Sequence, residues 1–161
     1  TVNLNGQTQV ATANQYLRVN RVYVASAGSG GTGAGVIYVA TSGETSGVPT
    51  GTTYAAIIAG ENQSQMAVYT VPATYSLFID NVYFTAAVSA TANHVIAKLA
   101  TRDLNGVFRS RTTNILENSP LINDFEYPLK INAKTDIECR ASGSTTNNQV
   151  SASFEGALIA D

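Results

Sequence analysis

The chain of 161 residues holds one cysteine, one histidine, one methionine and no tryptophan. A lone Cys139 cannot close an internal disulfide. A lone His94 cannot build a histidine metal site, which needs several ligands. Charged residues make up only 12% of the chain, about half the usual share. Ser, Thr, Asn and Gln must therefore cover the surface. That composition suits a virion or extracellular setting, or a large area buried against other subunits. Nine Lys and Arg against eleven Asp and Glu leave a net charge of −2, which argues against a nucleic-acid partner. No apolar run approaches the roughly 20 residues of a membrane span, so no membrane partner is expected. The length fits one domain that buries about two-thirds of its unfolded surface.

What is present is β grammar. Residues 65–102 (QMAVYTVPATYSLFIDNVYFTAAVSATANHVIAKLATR) organise the chain. A short strand leads to a corner at Pro72-Ala73-Thr74, where the missing proline N–H interrupts no ladder. Tyr75–Ala87 is rich in aromatic and β-branched residues, which suit a pleated surface. The small residues 89–93 then reverse the chain, and in Val95–Arg102 apolar and polar positions alternate. This reads as one long hairpin. A similar hairpin is expected from 16–27 (YLRVNRVYVASA) through the glycine-rich 27–33 to 36–40. Val22-Tyr23 matches Val82-Tyr83, and Ala40-Thr41 matches Ala100-Thr101, both at an offset of 60. A weaker third copy runs from 131 to 159. Duplication explains these matches; so does the recurrence of small residues in any β-protein.

Elsewhere, Asn5-Gly6 predicts an opening arm or hairpin over 1–10, and Asn105-Gly106 a second tight turn. Residues 41–53 (TSGETSGVPTGTT) read as a long polar loop. Residues 116–124 allow a single helical turn around Pro120. Pro128 marks an edge strand, because proline is confined to edges. Residues 150–159 alternate, with Val150, Ala152, Phe154 and Leu158 facing inward. The pattern totals about ten to twelve strands with almost no helix, an all-β antiparallel sandwich with long hairpins in a single domain, 1–161.

No catalytic signature accompanies this fold. His94 sits beside a turn, where a histidine is ordinarily solvated rather than part of a triad. The acids show no spacing that pairs two carboxylates for hydrolysis. Asp80 lies within the apolar arm and is expected to face outward. Cys139 shares a strand face with Ile137 and Ala141 and reads as a small core residue. The glycine-rich 27–33 lacks the lysine and helix of a phosphate loop. No catalytic residue, metal or cofactor is expected. The residues singled out are interface candidates: Tyr23, Tyr83 and Phe84 as apolar contacts, and Arg109 and Arg111 as cations able to pair with acids on a neighbouring subunit.

Four segments carry a resemblance: GENQSQMAVYTVPA at 60–73 followed by Tyr75, RDLNGVF at 102–108, KTDIECRA at 134–141 and VSASF at 150–154. Together they resemble a recurring pattern in structural proteins of tailed bacteriophages, especially from aquatic environments. The resemblance implies a jelly-roll-like sandwich in a virion surface or capsid-associated protein, such as a decoration (cement) protein or spike. The low charge, the opening pair around Asn5-Gly6 and the Pro128 edge strand predict a homo-oligomer; the resemblance adds three-fold symmetry as the leading number, with the major capsid protein or other virion proteins as the seat. It supplies no functional residues. The competing expectation is a receptor- or glycan-binding module of a tail fibre or spike. That role calls for aromatics at the tips 28–33, 89–93 and 143–148, and those tips contain none.

Overall fold

The computed structural model describes residues 1–88, 93–146 and 148–161. Among the described residues it contains eleven strands and no helix. The all-β sandwich expected from alternation is what forms. The chain divides into two compact units, Thr1–Met66 and Ala67–Asp161.

The first unit holds four short strands: β1 (Ile37–Ala40), β2 (Glu44–Thr45), β3 (Val48–Pro49) and β4 (Thr53–Ile57). β1 pairs antiparallel with β4, Ile37 opposite Ile57. β2 and β3 make a tight hairpin within what reads on sequence as loop. Ser46 and Gly47 take positive φ of 52° and 79° at its tip, the backbone that a two-residue hairpin turn demands. The Gly47 N–H donates to Glu44 Oε2 at 2.6 Å.

The long hairpin expected from 16–27 does not form. β1, its expected return arm, pairs with β4 instead. Residues 16–27 are held at one bridge, Tyr23 to Gln63, where the Val24 N–H donates to Asn62 O and the Ser64 N–H to Val22 O. Asn5-Gly6 does turn, with Gly6 at φ 55° and the Thr8 N–H on Asn5 O, but no strands extend from it. Only Ala55 and Ile57 among this unit's hydrophobic side chains are buried.

The second unit stacks two sheets. Its strands are β5 (Val68–Thr70), β6 (Tyr75–Ala87), β7 (Val95–Arg102), β8 (Arg109–Leu116), β9 (Pro120–Ile131), β10 (Asp136–Gly143) and β11 (Gln149–Ala160). One sheet has the order β5-β10-β7-β8 and the other β11-β6-β9. Only the β7–β8 connection joins neighbours in one sheet. It turns at Asn105, φ 62°, with the Gly106 N–H on Asp103 O.

On sequence, β6 and β7 are the two arms of one hairpin, as are β10 and β11. Both arms of each pair are extended, but they lie in different sheets. Each arm has one apolar face. Side-by-side pairing would leave both faces needing cover, whereas crossing to the other sheet stacks face on face. Leu77, Ile79, Val82 and Phe84 of β6 thus share one core with Val95, Ala97 and Leu99 of β7, Leu116, Ile131 and Ile137. Residues 89–92 of the connecting turn, and Asn147 of the 143–148 tip, lie outside the described residues.

Three local expectations are settled by this unit. The corner at 72–74 is present, with Thr74 at φ 70°. The helical turn allowed at 116–124 is absent: Asn118 turns at φ 50° and β9 begins at Pro120. The strand holding Pro128 is an edge, as proline requires.

Candidate functional site

The polar outer face of the four-stranded sheet is the most organised surface of the second unit. β7 turns Val95, Ala97 and Leu99 to the core, which places Ile96, Lys98, Ala100 and Arg102 opposite. β10 turns Ile137 inward and Asp136, Glu138 and Arg140 outward. Register sets Thr70, Asp136 and Arg102 in one row across three strands. Thr70 Oγ1 donates to Asp136 Oδ1 at 2.8 Å. Arg102 donates to Asp136 Oδ2 from Nε at 3.0 Å and Nη2 at 2.7 Å. Both carboxylate oxygens are therefore engaged, and Asp136 is a clamp between strands rather than a free base.

Phe108, just ahead of β8, carries the next layer. The guanidinium carbons of Arg102 and Arg140 each lie 4.4 Å from its ring centroid, well inside cation–π range. Arg140 also pairs with Glu138. Beside this stack, Ile96, Lys98, Phe108, Ser110, Arg140 and Ser142 line a shallow groove of about 260 Å³. It offers cations, hydroxyls and an aromatic edge. These groups suit the binding of carboxylates.

The residues weighed for chemistry fall elsewhere. His94 makes backbone contacts with Ser144: its N–H donates to Ser144 Oγ at 3.0 Å, and its carbonyl accepts from the Ser144 N–H at 2.9 Å. Cys139 is half-buried against the core. Burial first, and the Glu138 charge second, push its thiol from 9.0 to about 11, so it is a poor nucleophile at neutral pH. Asp80 faces outward, as expected. Among the described residues, no group of three or more His, Cys, Asp or Glu side chains is placed to hold a metal ion.

The interface candidates separate. Tyr23 belongs to the first unit, is 63% exposed and carries the Arg21 guanidinium 5.5 Å above its ring. Tyr83 lies on the outer face of the three-stranded sheet, its hydroxyl 3.0 Å from Glu155 Oε2. That hydrogen bond, then burial and the charges of Glu155 and Asp124, raise its phenol above 10.0. Phe84 lies in the core at 1% exposure and is removed from the surface candidates. Arg109 and Arg111 are both exposed on β8, and Arg111 Nε donates to Thr101 Oγ1 at 2.8 Å.

No family model, curated protein or solved structure matches the chain. What the molecule offers a partner is its own surfaces. One of these was not legible in sequence: the apolar side chains outside the alternating stretches. Tyr127 is 81% exposed and Leu17 77%. Nothing in the local pattern of Leu17 separates it from the core leucines Leu77, Leu99 and Leu116.

Proposed function

We propose that this protein is a non-enzymatic structural component of a virion, a capsid decoration (cement) protein that works as a homo-oligomer through surface contacts. The observation that carries the reading is surface area. A compact monomer of 16.9 kDa exposes about 7,700 Å². Two separate compact units sharing that mass would expose about 9,200 Å². This chain exposes 10553 Å². The excess over even the two-unit figure is about 1,300 Å², more than the roughly 800 Å² each partner buries in a standard interface.

The first unit shows where such cover is needed. Eleven of its large apolar side chains are exposed, Tyr16, Leu17, Tyr23 and Ile58 among them, against two buried hydrophobics. Two side chains cannot offset the entropy of ordering such a segment. Its order depends on what it is laid against, and a capsid surface or a neighbouring copy supplies that cover.

The test is to locate the protein in purified particles by mass spectrometry and cryo-electron microscopy. Stoichiometric copies on the capsid exterior are expected. Absence from the particle overturns the virion role. A second reading, a receptor- or glycan-binding module, draws on the exposed ring of Tyr127. Glycan-array binding that is lost in Tyr127→Ala selects it.

A further inference from the structure

The two sheets of the second unit expose four edge strands, and three of them are guarded. β5 has only three residues. β8 presents Arg109 and Arg111, with Arg111 the extra residue of a bulge between Leu99 and Ala100. β9 carries Pro120, Pro128 and three charges, and its residues 125–128 stand against the single Asp80 of β6. Short length, charge, proline and bulges are the devices that stop an edge from adding another strand.

β11 has almost none of them. It runs twelve residues, QVSASFEGALIA, with no proline and one charge, Glu155. It alternates from Gln149 to Glu155, pairs with β6 on one side only, and ten of its twelve residues are exposed. It is also held in place beyond its last residue. The Asp161 N–H donates to Thr74 O at 2.9 Å, and Ser76 Oγ donates to Asp161 Oδ1 at 2.6 Å. A long, ordered edge with a single charge is a template for strand addition.

We propose that β11 pairs antiparallel with β11 of a second copy of this chain, joining two three-stranded sheets into one of six strands across a two-fold axis. The proposal rests on the homo-oligomer part of the reading above and not on the virion location. Register identifies the occupant. Core-facing side chains of both copies must stay on one side, so only residues of like parity can oppose each other. Two registers do this while pairing eleven of the twelve residues: one centred on Phe154, one on Glu155. The second sets Glu155 against Glu155, and like charges directly opposite are destabilising. The first sets Val150 against Leu158, Ala152 against Gly156 and Glu155 against Ser153, whose hydroxyl suits a carboxylate. This self-complementarity is what an isologous contact requires. The contact is two-fold, so a three-fold particle would need a further, heterologous one.

The test is sedimentation velocity over a concentration series on the unmodified protein, Ser153→Lys and Ser153→Glu. The unmodified protein is expected to dimerise. Ser153→Lys faces Glu155 of the other copy at two symmetric points and holds or tightens the dimer. Ser153→Glu faces the same carboxylate and weakens it about fivefold. If a variant does not fold, hydrogen exchange on the unmodified protein decides: β11 amides gain protection as concentration rises and β9 amides do not. A monomer at every concentration overturns the proposal, as does an equal effect of the two variants. Protection of β11 only when capsids are added also overturns it, assigning the edge to another chain's strand. Dimerisation through β11 in a protein absent from particles removes the virion role and leaves this inference standing.

Discussion

Arg102 grips Asp136 with two hydrogen bonds to a single oxygen, 3.0 Å from Nε and 2.7 Å from Nη2, while the Asp136 side chain is only 4% exposed. The partner is 30% exposed, so one end of the pair is wet and the other dry. Removing the wet end leaves a buried carboxylate without its cation. Arg102→Ala is expected to cost about 3 kcal/mol in urea unfolding. Asp136→Asn, which keeps the Thr70 contact and abolishes the charge, is expected to cost less. Equal losses would show that the charge itself contributes nothing.

Gly156 is the second test of the fold. A Cβ at this position would run into the Phe78 carbonyl and come within 2.9 Å of Ile79 Cα. It lies where the β11–β6 register slips past the bulged Asp80. Gly156→Ala is expected to destabilise the second unit by about 2 kcal/mol. Gly28→Ala, where a Cβ meets nothing within 4 Å, serves as the control and should be close to neutral in thermal unfolding.

Cys139 predicts a pH effect with a definite sign. Its thiol titrates near 11 in the folded chain against an ordinary 9.0, so the folded state holds its proton more tightly than the unfolded one. The stabilising contribution is complete below pH 9 and is lost as pH rises towards 11. Stability measured across that window should fall, and Cys139→Ala should lack this part of the fall. At pH 8, iodoacetamide should label the native thiol far more slowly than the urea-unfolded one.

The Tyr83 phenol should titrate above the ordinary tyrosine value, because its hydroxyl donates to Glu155. Carbon-13 NMR of labelled tyrosine measures this directly. Glu155→Gln should bring the Tyr83 midpoint down towards its ordinary value. A midpoint unmoved by that substitution would place the cause elsewhere.

The sequence carried the strands more clearly than their partners. The alternation of Val95–Arg102 is local and fixes which side chains face inward, so its core positions were readable. Whether residues 89–93 make a tight reversal or a passage between layers depends on distant faces, and small residues permit both. Asn105-Gly106 was readable as a hairpin because turn chemistry and strand pairing coincide there. The bulge at Asp80 was not, since it shifts the inward set from Leu77 and Ile79 to Val82 and Phe84 through pairing with β9. Tyr83 and Phe84 are neighbours on one strand, so alternation alone already forbids both from facing a partner. The outer-face clamp was hidden for the opposite reason: Thr70, Arg102 and Asp136 are far apart in the chain and meet only through register.

Because β6 is flanked by β9 and β11, its order of completion during synthesis is set. Both of its neighbours are translated after it, and the second is not finished until residue 160 has been made. Until β9 is complete at Ile131, β6, whose inner face carries Leu77, Ile79, Val82 and Phe84, has two open sides, and until β11 follows it keeps one. Contacts of such long sequence separation form slowly, and unpaired strands are exposed to aggregation meanwhile. Within the second unit only β7 and β8 are sheet neighbours joined directly in sequence, so theirs is the ladder that can close as soon as it is made. A ribosome that pauses before β11 therefore holds β6 half-dressed, and expression yield should respond more to the codons of β9–β11 than to those of residues 1–40.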